Sequence, residues 1–123
     1  DVILEFDEKT LELALSNLVH NAIKYSPEDS IIDLQVENGE GKLVLKVVDQ
    51  GIGIPEQEQK HIFDRYFRAG NALLTQGTGI GLNIAKQHLE NLGASLDFSS
   101  IENKGSTFMV NIPKELYIYQ NMK

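Results

Sequence analysis

The chain has 123 residues, of which 41% are hydrophobic and 24% charged, and this composition predicts one globular domain with a buried core. Its formal net charge of −7 argues against a nucleic-acid binder that works through a broad basic face. The absence of cysteine excludes disulfides and thiolate metal sites and fits a cytoplasmic location, and no apolar run approaches the roughly 20 residues of a membrane span.

Residues 1–6 form a strand-like opening stretch. A predicted helix follows, with one apolar stripe and one polar stripe. Asp7 is a typical N-cap, and apolar residues at helical spacing predict a helix over residues 8–25, which Ser26-Pro27 ends. Beside the apolar stripe lies a polar one, spaced three and four residues apart: Asn17, His20, Asn21 and Lys24. Because asparagine is a poor residue inside a helix, this stripe indicates either a ligand site or two solvent-facing amides.

Two strands joined by a tight turn are predicted next, over residues 32–37 and 42–48. Asp49 has the parity of the apolar residues in the second strand, so its carboxylate should point toward the core. A buried carboxylate needs a hydrogen-bond donor, which an adenine amine or an Asx turn would supply. Gly51 and Gly53 follow directly, and we expect them to let a flat ring approach the backbone.

The middle of the chain predicts a short helix from Pro55 with an apolar side, followed by the only two arginines, Arg65 and Arg68. Residues 69–76 have no clear periodicity and contain glycine and asparagine, as a loop would. A loop placed between paired arginines and a glycine-rich segment is typical of a lid over a ligand.

Alternating glycines then open a second helical pattern, which runs to about Leu92 and ends at Gly93. The absence of side chains at Gly77, Gly79 and Gly81 would let backbone N–H groups at a helix start approach a phosphate. Taken alone, the segment fits a flexible loop before an ordinary helix equally well. Its G-x-G-x-G spacing does not fit a Rossmann fingerprint, and no Walker A sequence occurs.

Two more strands, over residues 95–101 and 106–112, close the predicted domain. A turn over residues 102–105 joins them, and a tail over residues 114–123 follows Pro113. We therefore predict a single domain over residues 1–113 with a C-terminal tail.

Four stretches in a fixed order resemble the catalytic ATP-binding domain of bacterial two-component sensor histidine kinases, which belongs to the GHKL ATPase superfamily. Residues 17–26 resemble the N box, 49–53 the G1 box, 63–68 the F box and 77–82 the G2 box. The resemblance covers about residues 2–113 and implies an α+β protein of the Bergerat type. We therefore expect a two-layer α/β sandwich, with a mixed sheet of about five strands and three helices on one face.

The resemblance also implies roles for individual residues in binding Mg²⁺ and ATP. Asn21 would coordinate the Mg²⁺ that bridges the phosphates, and Asn17 would lie near phosphate or metal-bound water. Asp49 would accept the adenine amine, and Arg68 would reach the γ-phosphate. The other implied nucleotide contacts are Lys24, Tyr25, Gly51, Gly53, Gly77, Thr78, Gly79, Gly81, Leu82 and, from a last box near adenine, Thr107.

The implied reaction is transfer of the γ-phosphoryl group to a histidine on an upstream dimerisation domain, and from there to a response regulator. Asn17 stands where ATP-hydrolysing members of the superfamily carry a glutamate general base, and a neutral amide cannot take a proton from water. His20, His61 and His88 do not resemble the phosphoacceptor, so we interpret them as ordinary residues.

Three alternative functions share most of these features. They are an ATP-hydrolysing mechanoenzyme fragment, a nucleotide-sensing module without catalysis, and an anti-sigma serine kinase. Steady phosphate release would indicate the first, binding without transfer the second, and a serine-bearing substrate the third.

Overall fold

The computed structural model describes residues 7–64 and 81–114 of the chain. Within these ranges the chain forms two α-helices, one short 3₁₀ helix and four β-strands. In chain order they are α1 (Glu8–Lys24), β1 (Asp33–Gly39), β2 (Lys42–Asp49), the 3₁₀ helix (Glu56–His61), α2 (Gly81–Asn91), β3 (Ser95–Ile101) and β4 (Gly105–Pro113).

Helix α1 begins and ends where the sequence predicts. The Asp7 carboxylate accepts a hydrogen bond of 2.9 Å from the backbone N–H of Thr10, which satisfies one of the unpaired donors of the first turn. Tyr25 is the C-cap, directly before Ser26-Pro27. No helix in the described ranges has both the length and the hydropathy needed to span a bilayer.

A glycine lies just beyond the last residue of α2, Asn91, as predicted. Gly93 has a φ of 88°, a conformation that residues with a Cβ rarely adopt. The turn that it makes lets the backbone N–H of Ala94 donate to the Leu89 carbonyl over 2.9 Å. The chain thereby leaves the helix and enters β3.

The sheet has the strand order β1-β2-β4-β3, and each pair of neighbours is antiparallel. Tight turns close the β1–β2 and β3–β4 hairpins, which makes both pairs antiparallel. The described sheet therefore has four antiparallel strands, where we expected a mixed sheet of about five. The strand predicted over residues 1–6 lies outside the described residues.

The two helices pack against each other and cover one face of the sheet, with α1 against β2 and α2 against β3. Both layers contribute side chains that are at most 1% exposed, namely Leu18, Leu89, Leu96, Val47, Val110 and Ile112. This arrangement confirms the two-layer α/β sandwich. The third predicted helix is the 3₁₀ helix, which follows the turn at the end of β2.

Candidate functional site

Asp49 is a buried carboxylate at the end of β2, on the face of the sheet that the helices cover. It is 8% exposed, and one of its oxygens, Oδ1, accepts from the backbone N–H groups of Gly51 at 2.9 Å and Ser106 at 3.2 Å. The Asx turn that the sequence allowed as an alternative is therefore present. Within residues 7–64 and 81–114, no hydrogen bond falls on the other oxygen, Oδ2, so a ligand amine has an acceptor there.

Burial raises the pKa of Asp49 above its ordinary value, because a charged carboxylate is poorly solvated inside the protein. The hydrogen bonds from Gly51 and Ser106 act in the opposite direction and offset part of this rise in pKa. A further donor to the carboxylate would lower the cost of its charge. The site is thus suited to a ligand that donates a hydrogen bond.

Gly51 lies between the carbonyl of Tyr25 and the carboxylate of Asp49. A Cβ at this position would be 2.3 Å from the Tyr25 oxygen and 3.0 Å from Oδ1 of Asp49. At Gly53, where φ is 67°, a Cβ would be 2.1 Å from the Ile101 carbonyl oxygen. Packing within the chain therefore already requires both glycines, and their contact with a ligand stays a prediction.

The end of α1 is joined directly to the turn that follows Asp49. The backbone N–H of Ile52 donates to the Tyr25 carbonyl over 3.1 Å. Next to this junction is an open hollow of about 500 Å³, lined by residues 24–27, residues 50–52 and Asn103. The Ser26 hydroxyl oxygen in its wall is buried and has no hydrogen-bond partner in the described parts of the chain, which leaves it available to water or a ligand.

The polar stripe of α1 is only partly exposed to solvent. Asn17, Asn21 and Lys24 are each half-buried, whereas His20 is exposed. Lys24 places its ammonium nitrogen 5.8 Å from the centre of the Tyr25 ring. Because α1 ends at the turn after Asp49, the structure brings Lys24 and Tyr25 close to Gly51, with the two asparagines one and two turns earlier.

Ser106, rather than the predicted Thr107, lies beside Asp49. The two residues are directly opposite in the β2–β4 register, and Ser106 donates its backbone N–H to the carboxylate. Successive side chains of a strand point to opposite faces, so Thr107 faces away from the helices. The sequence itself indicates that Ser106 lies on the core face of β4, because it is two residues before the buried Phe108 and therefore points to the same side.

The remaining predicted contacts fall at or beyond the edge of the described ranges. Arg65, Arg68, Gly77, Thr78 and Gly79 lie outside them, whereas Gly81 and Leu82 form the start of α2.

Phe63, the first residue of the stretch that resembles the F box, is held by several contacts. Its ring meets Phe98 edge-on, with centroids 5.6 Å apart. Its carbonyl accepts a hydrogen bond of 2.9 Å from the Asn83 side chain at the start of α2. Phe63, which precedes the predicted lid over residues 69–76, is therefore bonded to α2, the helix that follows that lid.

Comparison with known proteins identifies the family. Residues 6–116 match the family described as "Histidine kinase-, DNA gyrase B-, and HSP90-like ATPase". The chain belongs to this family. Among its members, this ATPase domain is similar to sensor histidine kinases. It is 36% identical over 117 residues to the sensor histidine kinase WalK of Bacillus subtilis and 38% identical over 125 residues to the phosphate regulon sensor protein PhoR of Haemophilus influenzae.

The similarity extends to solved structures of histidine kinases. The mycobacterial sensor histidine kinase MprB superimposes with a TM-score of 0.81 at 30% identity, over 89% of this chain and 76% of that one. The catalytic domain of the histidine kinase ThkA gives a TM-score of 0.78 at 32% identity, over 93% and 74% of the two chains. The chain is thus a histidine-kinase ATPase domain of the GHKL superfamily.

The domain covers only part of its full-length relatives. The match spans 92% of this chain but 19% of WalK, and all of this chain but 29% of PhoR.

Among the described residues, the Asn21 amide is the candidate protein ligand for a Mg²⁺ ion bound together with nucleotide phosphates. Within the described residues, no three histidine, cysteine, aspartate or glutamate side chains are placed so that they could hold a metal ion together. Mg²⁺ commonly keeps several waters and binds through few protein oxygens plus substrate phosphates. The half-buried amide of Asn21 offers an oxygen of the hard type that this ion prefers.

Proposed function

We propose that this domain binds Mg²⁺–ATP and transfers the γ-phosphoryl group to a histidine on a dimerisation domain of the parent kinase. The phosphoryl group would then pass to the receiver domain of a response regulator. The observation that carries the proposal is the buried carboxylate of Asp49, whose described hydrogen bonds all fall on one oxygen. The open acceptor on Asp49, together with membership of the histidine-kinase ATPase family, supports binding of a nucleotide base that carries an exocyclic amine.

Adenine is the base that suits Asp49. Its 6-amino group donates to Oδ2, whereas guanine would present a carbonyl oxygen to the same carboxylate and be repelled.

We propose Ser106, rather than Thr107, as the β4 residue next to the base, because it is buried and bonded to Asp49. The buried Ser26 hydroxyl is a candidate for a further contact through water.

The phosphates extend from the base toward the polar stripe of α1. In this arrangement Asn21 would hold Mg²⁺, Asn17 would lie near the phosphates or metal-bound water, and Lys24 supplies positive charge close to Tyr25. Arg68 would stabilise the γ-phosphate, and the N–H groups of residues 77–82 would bind the remaining oxygens. Cationic groups and Mg²⁺ are needed locally because the chain has a net charge of −7, which repels a free nucleotide.

Transfer to histidine is favoured over hydrolysis because Asn17, which stands where ATP-hydrolysing members of the superfamily carry a glutamate, cannot act as a general base. In transfer, an imidazole nitrogen attacks the γ-phosphorus and the bond to the β–γ bridging oxygen breaks, so that ADP leaves. A neutral imidazole is already a nucleophile, whereas water must lose a proton that the Asn17 amide cannot accept. The protein's part is alignment and stabilisation of charge.

The phosphoacceptor belongs to another domain in this proposal. His61 is in contact with Asp64 at 2.8 Å, and His20 and His88 are exposed on α1 and α2. We place the domain in the cytoplasm, where ATP and response regulators are available, whether or not the parent kinase is anchored in a membrane.

Incubation with γ-labelled ATP tests the proposed transfer. The chain is mixed with the dimerisation domain of its parent kinase, and a variant of that domain without its phosphoacceptor histidine is the control. We expect label on the intact dimerisation domain, and almost none on the ATPase domain or the control. Strong labelling of the ATPase domain alone, or steady phosphate release without transfer, would contradict the proposal.

A further inference from the structure

The turn after β2 and the β3–β4 hairpin are pressed together beside Asp49. A Cβ on Gly105 would be 2.2 Å from the carbonyl oxygen of Asp49. The backbone N–H of Asn103 donates to the Ile52 carbonyl over 2.7 Å. Because backbone meets backbone at both points, a shift of the hairpin must also move the surroundings of the carboxylate.

Two serine hydroxyls connect this hairpin to the turn and to Asp49. The Ser100 hydroxyl accepts from the Ile54 N–H at 2.8 Å and lies 2.8 Å from the Ser106 hydroxyl. It also donates to the Gly105 carbonyl over 3.2 Å. Since Ser106 donates its own N–H to Asp49, the polar contacts run from Ile54 to the carboxylate without a gap.

Gln59 joins the same two segments from the 3₁₀ helix. Its side-chain nitrogen donates to the Ile54 carbonyl and to the Ser100 carbonyl, both over 3.0 Å. The two hydrogens of the amide are thus both used, one on each segment. Without this donor, both carbonyl oxygens would lose the hydrogen bond that links their two segments.

We propose that Gln59 is a positioning residue for adenine recognition, acting through Ser100 and Ser106 on the carboxylate of Asp49. This inference rests on the proposed function and assigns to Gln59 no contact with the nucleotide. Gln59 holds Ile54 and Ser100 together, which fixes the start of β4. The Ser106 N–H then keeps the carboxylate in the rotamer that presents Oδ2 to the amine.

A pair of nucleotides separates this role from a general effect on folding. Titration calorimetry compares Mg²⁺–ATP with the Mg²⁺ complex of purine riboside triphosphate, which lacks the 6-amino group. Gln59→Met removes the amide but keeps the length of the side chain. We expect it to weaken ATP binding about fivefold to tenfold, as for the loss of one hydrogen bond, and to weaken binding of the analogue less than twofold.

Two further variants complete the experiment. Gln57→Met, at an exposed position of the same 3₁₀ helix, should leave both affinities unchanged. Ser100→Ala should reproduce the selective loss, and it replaces Gln59→Met in the test if that variant does not fold by circular dichroism.

The two nucleotides separate a failure of the proposed role of Gln59 from a failure of adenine recognition by Asp49. An equal loss for both nucleotides, or an unchanged preference for ATP, would overturn the role of Gln59. A wild-type chain that bound ATP no better than the analogue would instead refute adenine recognition by Asp49 itself.

Discussion

At the scale of single residues, Asp49 is the position where burial and hydrogen bonding oppose each other most clearly. Burial raises the pKa of its carboxyl, and two backbone N–H groups only partly offset that rise. The carboxyl of Asp49 therefore holds its proton more tightly in the folded protein than in the unfolded chain. Ionisation of Asp49 consequently reduces the free energy of unfolding.

This opposition predicts a specific dependence of stability on pH. From the ordinary aspartate pKa of 3.8 up to the raised pKa of the folded state, the contribution of Asp49 to the free energy of unfolding should fall as pH rises. Asp49→Asn keeps an oxygen that accepts from Gly51 and Ser106 but cannot ionise. The variant should lack this fall and be at least as stable as the wild type at pH 7.

Urea unfolding of both proteins across this pH range, followed by circular dichroism, measures the effect. A difference between the two unfolding free energies that does not change with pH would contradict the assignment. A variant less stable than the wild type at pH 7 would show that the carboxylate charge stabilises the fold.

The same residue shows what a sequence can and cannot predict. The alternation of β2 was sufficient to place Asp49 on the core side, because side-chain direction in a strand follows from parity alone. The bond from Ser106 joins residues 57 positions apart, and only the strand register brings them together. The resemblance implies a contact from Thr107 in this region, whereas the parity of β4 places Ser106 on the same face as Asp49.

At the scale of elements, the contact between the turn after β2 and the β3–β4 hairpin depends on Gly53. Its φ is 67°, and a Cβ would be 2.1 Å from the Ile101 carbonyl oxygen. Gly53→Ala therefore adds a collision with backbone to an unfavourable conformation. We expect a loss of about 3 kcal/mol or more in the free energy of unfolding, combining conformational strain with overpacking.

Gly41, in the β1–β2 turn, is the matched control. Its φ is 78°, but in the part of the chain that the structure describes no atom beyond its two chain neighbours lies within 4 Å of the position of a Cβ. Gly41→Ala should therefore cost only the conformational strain, about 1–2 kcal/mol. Equal losses for the two variants in urea unfolding would refute the close contact of turn and hairpin.

Most helices and strands were predictable from the sequence, because each depends on the spacing of apolar residues within a short stretch of the chain. The helix over residues 8–25, the four strands predicted from alternation and the glycine at the end of α2 agree with the structure, although both faces of β1 are exposed in the described residues. The role of Gln59 was not predictable, since its two acceptors are 5 and 41 residues away in sequence. Spacing also did not distinguish the 3₁₀ helix from a short α-helix, because a helix of six residues is too short to show its periodicity.

At the scale of the whole molecule, the two layers meet where α1, the end of β2 and the start of β4 come together. The helices cover the core face of the sheet, and Asp49 lies at the end of that face. A rigid core on one side fixes the carboxylate, while the hollow beside Tyr25 stays open to a ligand. The architecture thus supports recognition of a base by preformed groups.

Binding of adenine by the Asp49 carboxylate can be tested directly on this chain. Titration calorimetry with Mg²⁺–ATP should give a binding isotherm for the wild type and none for Asp49→Asn, whose circular dichroism spectrum should be unchanged. The loss follows because an asparagine amide turned toward the base replaces an acceptor with a donor. Equal affinity of the two proteins for ATP, at pH 7 and with both folded, would contradict the account.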